Sequence, residues 1–502
     1  MTTTAPRTVE FTALVATSRQ VAASASRLDK IAALAALLRS VPPEQAPIAV
    51  GLLIGEPRQG RIGVGWATVG RLEVPPAAEP SLTLPEVDLA FTELARLDGA
   101  GSQSARTRRL GELLAAATAD EQQHLIRVLR GELRQGANAG VVADAVAKAA
   151  GRPVAEVRRA AMLLGELGRA AALALAGEPL DGIGLTTMVG VQPMLAGTAP
   201  SVAEALAVTG PASVEWKLDG ARVQVHRQGG RVRVFTRTLN EIGDRVPEIV
   251  EAALALPADD FVLDGEALGL DPDGNPLKFQ DTMSSGARLQ PFFFDLLAVG
   301  GTSLIDEPLA ARKVALAGLA PAGLRLPTLD VGDPGDPAAA EQFAGTALDA
   351  GHEGVMIKSL DSPYQAGRRG ATWRKVKPVH TLDLVVLAAE WGHGRRTGYL
   401  SNIHLGARAA DGTFVMVGKT FKGMTDALLR WQTETFSALS LGDEGYVVHV
   451  RPEIVVEIWL DGVQRSRRYP GGVALRFARV RRYRPDKRPD QADTIERVQG
   501  ML

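Results

Sequence analysis

The sequence predicts a multidomain protein: an all-α domain over residues 1–190, an α+β domain over 191–379, and an all-β domain, a barrel of modest size, over 380–502. Three observations carry this. At 502 residues the chain exceeds one ordinary core and suggests about three domains. Apolar spacing is helical up to about Gly190 and then gives way to short strands separated by polar turns. After Val379 it shifts again, to strands alone apart from one helical stretch.

The first domain is rich in Ala, Leu and Arg, and stretches such as LDKIAALAALLRSV from Leu28, ARTRRLGELLAAA from Ala105 and QQHLIRVLRGELR from Gln122 have helical periodicity. Such helices are usually only well-formed helices. In GELRQGANAGVVADAVAKAA, Arg134 precedes a turn containing Gly136 that opens a new helix. A helix start with small residues and a nearby Arg suits phosphate contact; a plain interhelix turn accounts for the same residues equally well.

GIGLTTMVGVQPMLAGTAPS, from Gly182, reads as a linker and the start of the second domain. There SVEWKLDGARVQVHR, from Ser213, alternates apolar Val214, Trp216 and Leu218 with Glu215, Lys217 and Asp219, breaks at Asp219-Gly220 and resumes at Val223 and Val225. That pattern predicts two half-buried strands about a tight turn, with Glu215, Lys217 and Asp219 on one face. A lysine between acids on a wet strand face is usually a charge ladder. Pro321 to Ala340 reads as a surface excursion within the domain. In the third domain, LDLVVLAAEW, GTFVMVGKTF and EIVVEIWL are strands, and DALLRWQTETFSAL is an inserted helix.

Composition limits the chemistry. The chain has no cysteine, which excludes disulfides, thiol catalysis and thiolate zinc sites. The N-terminal stretch MTTTAPRTVEFTAL lacks a signal-peptide pattern and no apolar run reaches spanning length, so a cytoplasmic protein without a membrane partner is expected. With a net charge of −1, binding to nucleic acid depends on where the charge sits. Between Arg465 and Arg488 ten basic residues stand against the single acid Asp486. Such a block is often merely solvated, but it also suits a phosphate backbone.

Six islands follow the Lys217 stretch: TRTLNEIG with Arg237, FVLDGEAL with Glu266, PFFFDLL with Phe294 before Asp295, GHEGVMIKS with Glu353 and Lys358, WRKVKP with Lys375 and Lys377, and LRFARVRRYRPDK with Arg484, Asp486 and Lys487. A lysine attacks as a nucleophile when neutral, a form favoured by cations such as Lys375 and Lys377. Glu266 and Glu353 are hard oxygen donors suited to Mg²⁺. Arg222, Arg237, Lys375 and Lys377 could neutralise a phosphoryl group, and Phe294 could stack on a purine. Singly, Phe294 is as readily a core aromatic, Glu353 a hairpin charge and Lys375 an exposed strand residue. Together they make a site for attack by lysine on a nucleotide phosphate.

In this order the islands resemble the covalent nucleotidyltransferases, and in detail the ATP-dependent DNA ligases of the bacterial kind akin to archaeal and eukaryotic replicative enzymes. KLDGAR matches the family's Lys-x-Asp-Gly-x-Arg motif, which implies that Lys217 accepts AMP, that Glu215 reads the adenine amino group, and that Arg222 meets the ribose or the nick phosphate. The resemblance implies ATP/AMP contacts for Arg237, Glu266, Phe294, Lys375 and Lys377, Mg²⁺ at Glu266 and Glu353, and orientation of pyrophosphate by Arg484 and Lys487 of Arg-Pro-Asp-Lys. GELRQGANAGVV resembles the family's phosphate-contacting loop, which implies DNA contacts near Arg134 and Gly136, and PMLA from Pro193 the start of its catalytic core. Ala478 stands where many relatives have proline. The implied architecture is a helical DNA-binding domain, an adenylation domain and an OB-fold domain. The implied partners are ATP and nicked duplex DNA, for a monomer associated with the nucleoid, with room for a sliding clamp. An RNA ligase, a capping-type nucleotidyltransferase and a non-catalytic nick binder are the alternatives; the large helical domain and the Arg-Pro-Asp-Lys terminus favour DNA ligation.

Overall fold

The computed structural model describes residues 8–60, 62–64, 72–99, 101–133, 135–270, 277, 289–365, 369–378, 380–393 and 396–502. It divides into two compact units, Met1–Val376 and Lys377–Leu502. Among the described residues no helix is long and apolar enough to cross a membrane.

The first unit begins with helices α1 (Phe11–Ala23), α2 (Arg27–Ser40), α3 (Ala46–Ile54), α4 (Leu84–Arg96), α5 (Ser102–Ala115), α6 (Ala119–Leu129), α7 (Ala139–Ala150), α8 (Val154–Leu163) and α9 (Leu167–Leu175). Local chemistry fixes several ends. Thr83 and Glu86 form a capping box on α4, Asn138 caps α7 through the Val141 amide, and Gly55 and Gly151 close α3 and α7 in the left-handed conformation. The apolar stripes meet in one core that includes Phe11, Leu34, Leu38, Phe91, Val142 and Val146.

The rest of the unit is built on two sheets. Its elements are β1 (Leu195–Thr198), α10 (Val202–Thr209), β2 (Ala212–Trp216), β3 (Ala221–Gln228), β4 (Arg231–Thr236), α11 (Pro247–Leu254), β5 (Asp260–Gly269), β6 (Leu289–Val299), β7 (Thr302–Ser303), α12 (Leu309–Leu319), β8 (Thr328–Val331), α13 (Ala338–Asp349), β9 (Val355–Ser359) and β10 (Arg369–Val376). One sheet has the order β1-β10-β9-β2-β8 and the other β4-β3-β5-β6-β7. A core cluster containing Leu218, Val262, Phe294, Leu297, Tyr364 and Trp373 draws on both.

Two expectations are corrected here. The Lys217 stretch is not a hairpin: β2 and β3 belong to different sheets, and residues 217–220 cross from one to the other. Buried on both faces, β2 also withdraws Glu215 from water. Part of the supposed excursion Pro321–Ala340 is strand β8, hydrogen-bonded to β2 with Val214 opposite Leu329. Its Pro, Gly and Asp residues punctuate a short edge strand.

The second unit is β-rich. It comprises β11 (His380–Trp391), β12 (Leu400–Arg408), β13 (Phe414–Thr420), α14 (Asp426–Ala438), β14 (Ser440–Glu444), β15 (Val447–Val450), β16 (Val455–Leu460), β17 (Gly462–Arg465), β18 (Val473–Arg476), β19 (Arg479–Tyr483) and α15 (Ile495–Gln499). β11 organises it: one edge pairs with β12, while the other is shared along its length between β16 and β15. β19 extends the sheet from β16, and β17 and β18 form a separate hairpin.

Candidate active site

Lys217 lies where the chain leaves β2 and crosses toward β3. Its amide donates to the Gly354 carbonyl (2.8 Å), and its carbonyl accepts from the Glu353 amide (3.0 Å). These reciprocal bonds prolong the β2–β9 pairing by one step. Gly354, at φ 130°, has the backbone freedom that this step requires. The side chains then meet directly, Lys217 Nζ against Glu353 Oε2.

Gly220 brings in the second carboxylate. A Cβ there would stand 2.5 Å from the Ala267 carbonyl oxygen and 2.8 Å from Glu266 Cγ, so only glycine lets the crossing chain lie against β5. Arg222 is paired in register with Glu266 across β3 and β5. Burial pushes the Glu266 carboxyl up to about 7; Asp264 and Glu353 add to the rise, and Lys217 and Arg222 oppose it. Lys217, Glu266 and Glu353 therefore form one electrostatic cluster.

Arg222 is held from behind. Its guanidinium donates to both oxygens of Asp264 (3.0 and 2.7 Å), to the Met194 carbonyl (2.7 Å) and to the Tyr364 hydroxyl (3.4 Å), while Tyr364 donates to Asp264 (2.7 Å). Burial acts against its charge, but Asp264, Tyr364 and Glu266 together outweigh burial and raise the arginine pKa further. Arg222 thus ties the start of the middle region to the Lys217 crossing.

Beside this cluster lies a packed knot of buried charge and aromatic rings. Glu215 and Lys358 are almost fully buried and pair at 2.5 Å. Burial raises the Glu215 pKa and lowers that of Lys358, each opposed by the partner. Lys358 Nζ sits 4.0 Å from the Phe294 ring centroid and 4.2 Å from that of Trp373, and the two rings meet edge to face. Among the described residues Lys358 is the cation paired with the Glu215 carboxylate.

The remaining expected residues are scattered. Arg237 is exposed on the turn after β4. Lys375 is half-buried on β10, opposite Met356, whereas Lys377 belongs to the second unit, 3.5 Å from Asp461. Arg484 and Lys487 also lie in the second unit, and both reach Asp383. Gly136 is in the turn before α7 at φ 72°; Arg134 lies outside the described residues. The C-terminal basic block is less uniform than its sequence suggests, since Glu457, from the neighbouring strand, pairs with Arg481 and Arg482.

Sequence reading passed over Tyr364 and gave Asp264 no role. Both sit among ordinary turn or strand residues, and only the fold carries them to Arg222. Lys358 was visible as a chemically loaded residue, but its burial against Glu215 was not.

Comparison with known proteins gives this geometry a family. Residues 71–147 match a model described as DNA ligase N terminus, residues 193–377 one described as ATP dependent DNA ligase domain, and residues 396–487 one described as ATP dependent DNA ligase C terminal region. A "Probable DNA ligase" of Streptomyces avermitilis is 54% identical over 493 residues, covering 95% of this chain and 96% of that protein. "DNA ligase B" of Mycobacterium tuberculosis is 54% identical over 502 residues, covering 97% and 98%. The solved structure "Pmar-Lig_PreS3" shares the fold, with TM-score 0.62 at 20% identity over 94% of this chain and 99% of that one. With its three regions each matched by a ligase model, and that identity sustained along nearly its whole length, the chain belongs to the ATP-dependent DNA ligases.

Proposed function

We propose that this ligase seals nicks in duplex DNA through an AMP group carried on Lys217. The observation that carries the assignment is the clasp of Lys217 by one main-chain bond each to Gly354 and Glu353 and by a side-chain contact with Glu353, with Glu266 against Gly220. A nucleophile fixed in this way spends little orientational entropy on attack.

The neutral Lys217 amine attacks the α-phosphorus of ATP, the bond to the β-phosphoryl oxygen breaks, and pyrophosphate leaves as the amine gives up its proton. A 5′-phosphate oxygen at the nick then attacks the same phosphorus and frees the lysine. Finally the 3′-hydroxyl attacks the DNA phosphate and AMP departs. Glu215, a buried carboxylate paired with Lys358, suits the adenine amino group, and Phe294 packs against the same Lys358. Arg222, Arg237 and Lys375 would neutralise phosphate charge beside Lys217. Lys377, Arg484 and Lys487 would do so from the second unit, which we read as an OB-fold domain following a helical DNA-binding domain and an adenylation domain.

Among the described residues no group of three or more His, Asp or Glu side chains is placed to hold a metal by itself. Glu266 and Glu353 offer two hard oxygen donors flanking Lys217, which fits Mg²⁺ completing its shell with phosphate and water. Bound there, Mg²⁺ would offset charge building on the phosphate. The turn at Gly136, which Arg134 precedes by two residues in the sequence, and the basic strands of the second unit would position the duplex without reading its sequence. Such an enzyme would act as a monomer at the nucleoid.

The test is direct. After pyrophosphate has stripped any resident AMP, the protein is incubated with Mg²⁺ and ATP labelled at the α-phosphate, then chased with nicked duplex. A labelled protein band that discharges as sealed product forms is the expected result, and absence of the band would remove the lysyl-AMP assignment.

Glu266 adds a pH signature. Its folded pKa, about 7, lies above that of an exposed carboxyl, so between these values the folded state holds the extra proton. That contribution to stability is complete below the unfolded pKa and is lost as pH rises through 7. Partial exposure keeps it below roughly 3 kcal/mol. Glu266→Gln should therefore gain thermal stability relative to wild type between pH 5 and pH 8. A difference constant with pH would mean that Glu266 is ionised throughout.

A further inference from the structure

We propose that Asp383 is a positioning residue for pyrophosphate release: it holds Arg484 and Lys487 as one unit whose outward edge is set for phosphate. This rests on the reading of those two cations as the pair that orients pyrophosphate.

The geometry lies wholly within the second unit. Arg484 Nη1 donates to both Asp383 oxygens at 3.2 Å, and Lys487 Nζ donates to Oδ2 at 2.5 Å. Two cations three residues apart thus converge on one carboxylate. Asp383 is itself fixed on both sides: its amide donates to Asp493 Oδ2 (2.8 Å), and its carbonyl accepts from the Asp493 amide (2.8 Å). Its side chain is 13% exposed, against 59% for Asp486.

The register supports a site organised around cations. Asp383 on β11 stands directly opposite Glu457 on β16. Like charges facing each other across a strand pair destabilise a sheet. Here cations relieve them: Arg481 and Arg482 pair with Glu457, and Arg484 lies within 3.7 Å of Glu457 as well as on Asp383. Arg484 is the cation that reaches both carboxylates.

The two acids on Arg484 hold different edges of its fork. Half-buried Asp383 takes Nη1, while exposed Asp486 takes Nε and Nη2 at 2.9 and 2.6 Å. The Nε/Nη2 edge is the one that grips a phosphate through two bonds. A solvent-facing aspartate is readily displaced from it by a polyanion, whereas Asp383 stays behind and fixes the plane of the guanidinium. The Asp383 carboxylate therefore acts through Arg484 and Lys487 and touches no substrate itself.

Asp383→Asn should slow self-adenylation on the order of 10-fold, the scale of a misplaced positioning group. Single-turnover sealing of a nick already carrying 5′-AMP releases no pyrophosphate and should proceed at the wild-type rate. Added to the double variant Arg484→Ala/Lys487→Ala, Asp383→Asn should slow adenylation no further, since it would have nothing left to position. Should Asp383→Asn fail to fold by thermal melting, Asp383→Glu is read in its place; it keeps the charge, displaces the cations, and should lose adenylation a few-fold with sealing intact. Wild-type adenylation in the folded Asp383 variant beside a slow double variant would overturn the proposal and leave the cation reading standing. Wild-type adenylation in the double variant would overturn both. Equal losses in adenylation and in sealing of the pre-adenylated nick would mark Asp383 as merely structural.

Discussion

Replacing Lys217 with alanine should abolish self-adenylation and nick sealing, to below roughly a thousandth of the wild-type rate, while binding to nicked duplex survives. The structure explains why loss of a single amine should be so complete. Lys217 is the lysine held between Glu353 and Glu266 at the crossing of the two sheets. Lys358 could not take its place. It is buried against Glu215 and the Phe294 and Trp373 rings, pinned by charge on one side and π-faces on the other. Folding should survive as well, because the main-chain bonds to Glu353 and Gly354 do not depend on the side chain. Gel-based adenylation and mobility-shift binding to a nicked duplex would check both halves. Retained labelling of the Lys217→Ala protein would sink the assignment of the nucleophile.

The order of chemical islands along the chain was legible because each motif is local: Lys-x-Asp-Gly-x-Arg, the Glu-Gly pair at 353–354, and Arg-Pro-Asp-Lys each need only neighbours in sequence. Helices in the first region were legible for the same reason, as with LDKIAALAALLRSV in α2 and the helix opened after the Gly136 turn, α7. The partners of strands were not. Alternation from Val214 to Val225 shows that two strands exist but cannot show that they join different sheets, and so a crossing was read as a hairpin. Burial of Glu215 follows from the sheet position of β2, flanked by β9 and β8, which no local pattern encodes. Asp264 and Tyr364, 100 residues apart in the chain, meet only through the fold. Asp383 likewise reads as one acid in an apolar strand until Arg484 and Lys487 arrive from a hundred residues downstream.

Asp295→Ala should be the most damaging single change to stability away from the nucleophile, at about 3–5 kcal/mol. Asp295 on β6 and Arg312 on α12 are both fully buried. The guanidinium donates to both Asp295 oxygens (2.7 and 3.0 Å) and to the carbonyls of Glu307 (2.6 Å) and Ser362 (3.0 Å). Removing the aspartate strands a full positive charge in a low-dielectric interior, where the two carbonyls cannot neutralise it. Arg312→Met combined with Asp295→Leu removes both charges and should cost far less than the single change, since the penalty is the uncompensated ion rather than the lost attraction. Urea unfolding of the transition belonging to the first unit would separate the cases. If the single variant were no worse than the double one, the pair would be contributing little beyond the volume it fills. Because Asp295 adjoins Phe294 on β6, the single variant should also weaken ATP binding. The double variant, which keeps the strand packed, should recover much of that binding, and adenylation at saturating ATP should be lost less than stability in both.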